Sequence, residues 1–293
     1  MSGQVPQREK PPVPGGEFAF TWSDFRKIAA LVHAQSGIVL NESKANLVYS
    51  RLAKRLRIVG LRSFRDYCAL VGSEDGIDER QAMIAAMTTN VTRFFRESHH
   101  FTYLETNVLP QLVARARAGG RIRIWSAACS SGEEPYSIAL TLLKLMPDAA
   151  EHDVLILASD LDPNMLARAE EGVYTPQQVE SIPLELRRKW IESRKLGDGI
   201  GYAVSDAART LLRYRELNLL DPWPMRGSFD LIFCRNVMIY FDEETQNGIW
   251  KRFAQVLEPG GLLCIGHSER ISAAMPFELV AQTSYRLRGK AAP

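Results

Sequence analysis

The sequence predicts an α/β protein, a doubly wound and mainly parallel sheet preceded by a small all-helical unit. Up to about residue 88 the apolar residues recur at helical spacing, without a strand signal. From about residue 90, short β-branched and apolar runs alternate with helical patterns, the rhythm of a parallel sheet covered on both faces. Residues 121–140, RIRIWSAACSSGEEPYSIAL, read as a buried strand, a loop of small residues and a helix start.

The elements follow in order. Residues 1–17 contain four prolines and two adjacent glycines, and are expected to form a disordered tail. Thr21 is a helix cap with Asp24 three positions on, Phe25, Ile28, Ala29 and Val32 form one apolar face, and Gly37 terminates the helix. A second helix starts near Asn41, carries Val48, Leu52 and Leu56 on one face, and stops at Gly60. SFRDYCALVG and IDERQAMIAAMTTN add two more, giving an all-helical domain over 18–88. The methyl-rich strand candidates of the second domain, 89–293, are 121–127, 154–159, 213–217, 229–234 and 261–266. The rhythm lapses after Gly172, where PLELRRKW and glycine-rich LGDGIGYAV predict an inserted subdomain over about 172–212. EPGGLLCIGHSE reads as a turn feeding the penultimate strand.

Composition narrows the function. The 293 residues carry a net charge of +2, so no overall signal for nucleic acid exists, yet residues 44–65 hold Lys44, Arg51, Lys54, Arg55, Arg57, Arg62 and Arg65 and no acid. That face suits an acidic partner. Tyr49 is the only aromatic of the basic helix, which supplies no platform for stacking bases, so nucleic acid is not expected. No apolar run approaches the roughly 20 residues that span a bilayer, and the polar start is unlike a signal peptide, so a cytoplasmic protein without membrane insertion is expected. Cys68, Cys129, Cys234 and Cys264 are widely separated and read as reduced, mostly buried thiols. His99, His100, His152 and His267 lack ligand spacing, so no metal is expected.

Three segments carry chemistry. In the first, the loop after the 121–127 strand has Gly132 as its only glycine, which departs from a pyrophosphate cradle. Asp160, 28 residues beyond Gly132 at the end of VLILASD, is placed to bind ribose hydroxyls. Together they point to an adenosine ligand without phosphates, of which S-adenosylmethionine is the common one. Glu133 and Glu134 share the helix start, where the dipole favours either, and spacing does not choose between them. The second segment, TTNVTRFFRES, interleaves Asn90, Thr92 and Arg96 with two phenylalanines, and an arginine there can clamp a carboxylate or cap a helix. In the third, CRNVMIYFD, Arg235, Asn236 and Tyr240 follow a buried strand at the edge where open α/β sheets bind ligands.

Taken together, TTNVTRFFRESHHF, WSAACSSGEEPYSIA, ASDLDPNMLARAEEGVY, LNLLD, CRNVMIYFD and PGGLLCIGHSE closely resemble the chemotaxis receptor glutamate methyltransferases, the CheR family, over roughly residues 18–289. The resemblance implies a Rossmann-like S-adenosylmethionine-dependent methyltransferase domain with a small all-α N-terminal domain and a small β insert. It implies methyl transfer to glutamate carboxylates of methyl-accepting chemoreceptors, with S-adenosylhomocysteine as product. Asn90, Thr92 and Arg96 would hold the methionine end, Glu134 and Asp160 the rest of the cofactor, Asn218 and Leu219 would lie along the adenine, and Cys234, Arg235 and Asn236 would border it. Arg96 and Tyr240 would sit at the transferred methyl, with Phe94, Phe95 and Tyr240 as walls. The basic helical face would dock on acidic receptor helices. In some members the insert captures a pentapeptide from the receptor's carboxyl terminus, and LGDGIGYAVSD does not clearly match those members. A cofactor-sensing or scaffolding module without turnover is the alternative.

Overall fold

The computed structural model describes residues 12, 13, 15–196 and 199–289, so most of the proline-rich start and the 197–198 tip of the insert lie outside the described residues. The chain divides into two compact units, up to Thr89 and from Asn90.

In the first unit, α1 (Trp22–Ser36) is held by the expected capping box, in which Thr21 and Asp24 satisfy each other's backbone amides, and it ends at Gly37 in the left-handed region with φ 72°. A 3₁₀ turn over Glu42–Lys44 leads into α2 (Ala45–Val59), which buries Val48, Leu52 and Leu56. Then come α3 (Phe64–Gly72), capped by Ser63, and α4 (Ile77–Met87). Their apolar faces close around a ring cluster of Phe18, Phe20, Phe25, Tyr49 and Phe64.

The basic face of α2 is smaller than its sequence suggests. Arg51 donates to the carbonyls of Ala86, Met87 and Thr88, the acceptors that the end of α4 leaves without helical partners. Arg55 pairs with Glu79 at 2.5 Å and Arg57 with Glu17 at 2.5 Å. Three of the seven cations therefore serve the unit's own structure, while Lys44, Lys54, Arg62 and Arg65 remain exposed and outside any ion pair among the described residues. A local charge count missed this because the partners of Arg51 and Arg55 lie 24 to 38 residues away.

The second unit begins with α5 (His99–Tyr103), which runs through a π-helical turn, Leu104–Val108, into α6 (Leu109–Arg117). Pro110 lacks the amide that a regular helix would use there, which accounts for the change of pitch. β1 (Ile122–Ala127), α7 (Glu133–Leu145), β2 (Val154–Asp160) and α8 (Pro163–Glu171) follow. The insert is β3 (Val173–Tyr174), α9 (Pro176–Val179), α10 (Leu184–Trp190), β4 (Ile191–Leu196) and β5 (Gly199–Val204), a three-stranded antiparallel sheet in the order β3-β5-β4. After α11 (Asp206–Arg209) the chain returns as β6 (Leu212–Glu216), β7 (Phe229–Cys234), α12 (Glu243–Val256), β8 (Leu257–Ile265), β9 (Phe277–Ala281) and β10 (Ser284–Leu287).

The main sheet has seven strands in the order β6-β2-β1-β7-β8-β10-β9, parallel except for β10, which runs antiparallel to both its neighbours. This is the doubly wound architecture expected. The strand order reverses between β1 and β7, and in such sheets the crevice beyond the carboxyl ends at that point is where ligands bind. β7 is buried along its whole length and α7 along nearly all of it, so the site rests on the most deeply packed part of the unit.

One strand departs from expectation. Glu258–Gly261 turn within β8, with Gly260 left-handed at φ 79°, and two strands follow, so β8 is not the penultimate strand. Its pairing with β7 jumps from Phe229↔Leu257 to Leu231↔Leu262, so the Pro-Gly-Gly residues loop out of the ladder between the two paired stretches.

Candidate functional site

The loop after β1 is built from alternating left-handed residues, Ala128 (φ 66°), Ser130 (φ 50°) and Gly132 (φ 98°). A side chain at Gly132 would stand 2.7 Å from the Tyr174 hydroxyl and 2.8 Å from the Ala169 methyl, so glycine is required there on two counts. Asp160, buried at the end of β2, accepts from the Ser130 amide at 2.7 Å and from the Asp162 amide at 2.9 Å. One carboxylate thus fixes the loops after both β1 and β2. Burial raises its pKa, against the pull of those amides.

Glu133 and Glu134 part company at the start of α7. Glu133 faces the insert, accepting from Ser131 Oγ at 2.7 Å and Gln178 Nε2 at 3.0 Å. Glu134 turns to the sheet end, accepting from Ser126 Oγ at 2.7 Å and pairing with Arg235 at 3.1 Å. Burial raises its pKa, with Arg235 and Ser126 opposing.

Arg235 is the centre of the site. Its side chain is 2% exposed and lies between Glu134 and Glu97, the latter at 3.3 Å, over the rings of Phe233 and Phe101. It also donates to the Arg96 carbonyl. Glu97, which no sequence pattern singles out, turns Oε2 to Arg235, while its Oε1 accepts from Asn236 Nδ2 at 3.3 Å and lies 3.2 Å from His267 Nδ1. Burial would raise the Glu97 carboxyl, but Arg235, His267 and Asn236 outweigh it and hold the pKa down at about 2. Asn236 itself is left-handed, with φ 61°.

A second unanticipated acid, Glu269, accepts four backbone amides, from Asn236 at 3.1 Å, Val237 at 2.8 Å, Met238 at 2.8 Å and Gly266 at 2.5 Å. It binds the loop after β7 to the loop after β8. Sequence periodicity contains no trace of this, because the recipients are main-chain groups.

Asn90 donates to Asp162 at 3.1 Å and its carbonyl accepts from Ser130 Oγ at 3.2 Å, which joins the 90–98 segment to the loops after β1 and β2. Thr92 is half-buried in the same segment. Arg96, also half-buried, donates to the Val91 carbonyl at 2.8 Å. Phe95 and Glu97 on either side of it are left-handed (φ 52° and 56°). Phe94 is not a wall of the site. It is buried in the core edge-to-face against Tyr174, and Phe95 packs on Phe101. Asn218 accepts from the Leu220 amide, and buried Leu219 belongs to the cluster around Trp125. Cys234 ends β7, its thiol pushed far up by burial. Tyr240 lies half-buried in the short 3₁₀ turn Met238–Tyr240.

The histidines are closer to an acid than their spacing implied, since ligand atoms of Glu97, His99 and His100 lie within 4.8 Å of one another. Thr283 Oγ1 takes the Nε2 of both rings, at 3.3 and 2.9 Å, and a cation there would face the buried guanidinium of Arg235. Burial, with Arg235 nearby, lowers the His100 pKa to about 3. Both His100 and Glu97 therefore bind protons in the unfolded chain before they do in the folded one. The stability each contributes is present above its unfolded pKa and is lost as pH falls, from about 6.5 toward 3 for His100 and from about 4.5 toward 2 for Glu97. Urea midpoints measured against pH should show the loss between about pH 6.5 and 4.5 shrink in His100→Gln. Parallel curves would assign it to other groups.

The donor set tests what ligand this crevice takes. Carboxylates at the start of α7 and the end of β2 repel a pyrophosphate and suit hydroxyls and ammonium groups, and no lysine or arginine occupies the loop after β1. The family described as "CheR methyltransferase, SAM binding domain" matches residues 90–286, and its all-alpha domain matches 23–88. The chain belongs to the CheR methyltransferase family. A probable chemotaxis protein methyltransferase of Rhizobium etli is 51% identical over 262 residues, covering 89% of this chain and 98% of that one. Chemotaxis protein methyltransferase 2 of Pseudomonas aeruginosa is 43% identical, covering 96% and 99%, and the chemotaxis protein methyltransferase of Escherichia coli is 41% identical, covering 92% of each. As a CheR methyltransferase the chain uses S-adenosylmethionine, which the acidic, phosphate-excluding crevice fits. No helix among the described residues is long and apolar enough to cross a membrane.

Proposed function

We propose that this CheR methyltransferase is a cytoplasmic enzyme that esterifies glutamate side chains on the helices of methyl-accepting chemoreceptors. The observation that carries this reading is the placement of Arg96, in a strained segment fastened to the same ion-pair chain that holds Glu134 at the cofactor end of β1. S-adenosylmethionine supplies, when bound, an electrophilic methyl group on a sulfonium. Asp160 and Glu134 present carboxylates to its ribose and amino-acid portions, Asn90 and Thr92 border the methionine end, Asn218 and Leu219 the adenine, and Cys234, Arg235 and Asn236 the strand end.

A glutamate with an ordinary pKa of about 4.3 is already ionised at neutral pH, so the site needs no general base. Arg96 orients the incoming carboxylate and Tyr240 walls the reacting carbon from water. Placement of this kind contributes roughly 7–11 kcal/mol to such reactions. Tritiated methyl transfer to receptor-containing membranes, counted as base-labile radioactivity, tests the reading. A base-labile, receptor-linked label is expected; cofactor binding with no label on several receptors would point to a sensing module instead.

Docking falls to Lys44, Lys54, Arg62 and Arg65, the cations that α2 and its flanks do not use internally. Exposed pairs contribute about 0.2–1 kcal/mol each, so reversing two charges in Lys54→Glu/Arg62→Glu should raise the KM for receptor about tenfold. The effect should fade at high salt, where charges are screened within a few ångströms. An unchanged KM would remove this face from receptor recognition. Arg51→Glu is unsuited to the test, because that arginine holds the end of α4.

A further inference from the structure

The segment that carries Arg96 cannot hold its shape from its own preferences. Phe95 and Glu97 both occupy the left-handed region, φ 52° and 56°, and such residues persist only where surrounding contacts over-determine them. On the Phe95 side the constraints are the bond from its amide to Ser137 Oγ at 2.9 Å and the packing of its ring on Phe101. On the other side the constraint is Glu97. Its carboxylate meets Arg235 at 3.3 Å, Asn236 at 3.3 Å and His267 at 3.2 Å, groups that come from the loops after β7 and β8. Arg235 in turn donates to the Arg96 carbonyl, so one guanidinium grips both residues of the Arg96–Glu97 pair.

We infer that Glu97 is a positioning residue for methyl transfer, clamping the strained Arg96 segment onto the loops after β7 and β8 so that the Arg96 guanidinium is presented in one geometry. The inference deepens the proposed function and rests on it. Glu97 is directed at protein groups on both carboxylate oxygens, so it acts through Arg96 and not on substrate. Its charge is secure, since Arg235 and its neighbours keep the carboxyl ionised throughout the neutral range. Few apolar contacts depend on it, because the rings beside it, Phe94 and Phe95, are anchored on Tyr174 and Phe101. Releasing the clamp therefore loosens a loop and leaves the sheet standing. A segment that occupies its competent geometry only about 1–10% of the time would turn over about 10- to 100-fold more slowly.

The test uses the full chain with Glu97→Gln, which keeps the shape, and Glu97→Asp, which keeps the charge. Three quantities are read: kcat on receptor-containing membranes at saturating S-adenosylmethionine, Kd for S-adenosylhomocysteine by calorimetry, and amide exchange over residues 91–98. For Glu97→Gln we expect kcat down about 10- to 100-fold, a Kd that weakens by a smaller factor than kcat falls, and exchange over 91–98 at least about tenfold faster. Glu97→Asp should recover part of kcat. A kcat within threefold of wild type, or unchanged exchange, overturns the inference. So does a pair of variants that lose cofactor binding and cooperative unfolding alike, which would make Glu97 a residue of the fold. If the wild type itself labels no receptor, the proposed function has failed; if it labels well and Glu97→Gln labels equally, only the role of Glu97 has.

Discussion

Arg235→Met should lower the unfolding free energy by about 3–5 kcal/mol, the cost of removing one partner from a buried ion pair. The size follows from what is left behind. Glu97 and Glu134, each with a side chain about one-tenth exposed, would face each other across a vacated space with no cation between them. The carbonyl of Arg96 would lose its donor as well. Urea unfolding followed by circular dichroism measures the loss. The double variant Arg235→Met/Glu134→Gln should regain part of it, because the second change removes one of the stranded charges. A loss under about 1 kcal/mol would show that water or a rearranged side chain replaces the guanidinium at little cost.

Arg96→Ala should reduce kcat/KM on receptor by about 10²–10³-fold, the range seen when one preorganised donor to a developing or migrating charge is deleted. Tyr240→Phe should cost less than about tenfold, since Tyr240 serves as a wall and phenylalanine preserves the ring. Both are measured by tritiated methyl transfer at saturating cofactor. Equal losses would count against an orienting arginine, and a larger loss in Tyr240→Phe would transfer the leading role to the phenol. Unlike Arg235, Arg96 is half-buried and spends its guanidinium on a single loop carbonyl, so its removal should leave the unfolding midpoint nearly unmoved.

The architecture was legible because it is written in local chemistry. Thr21 and Asp24 form a capping box across three residues, Gly37 takes the left-handed cap that only glycine adopts freely, and VLILASD and FDLIFC are continuous apolar runs that only a sheet covered on both faces can bury. The place of β8 was misjudged: its Pro-Gly-Gly turn was read correctly, with Gly260 left-handed, but the two short strands after it were not seen. Of the site, the loop after β1 and the two other motif segments were visible in outline, and the resemblance to a family supplied roles that spacing leaves open, such as the choice of Glu134 over Glu133. Glu97 and Glu269 were not visible. The partners of Glu97 lie 139 and 170 residues away, and those of Glu269 are amides, which every residue but proline possesses. Phe94 was misread for the opposite reason: an aromatic beside a functional arginine invites a functional reading, whereas burial against Tyr174 decides its place.

The four amides that converge on Glu269 also bear on how such a chain can change over generations. Residues 236–238 and 266 depend on a single side chain, so no one substitution at 269 can furnish replacements for all four acceptor contacts at once. The two loops are thereby inherited as one piece. Change can enter at the exposed positions beside them, Ile239 and Ser268, far more readily than through any alteration of the path their backbones follow.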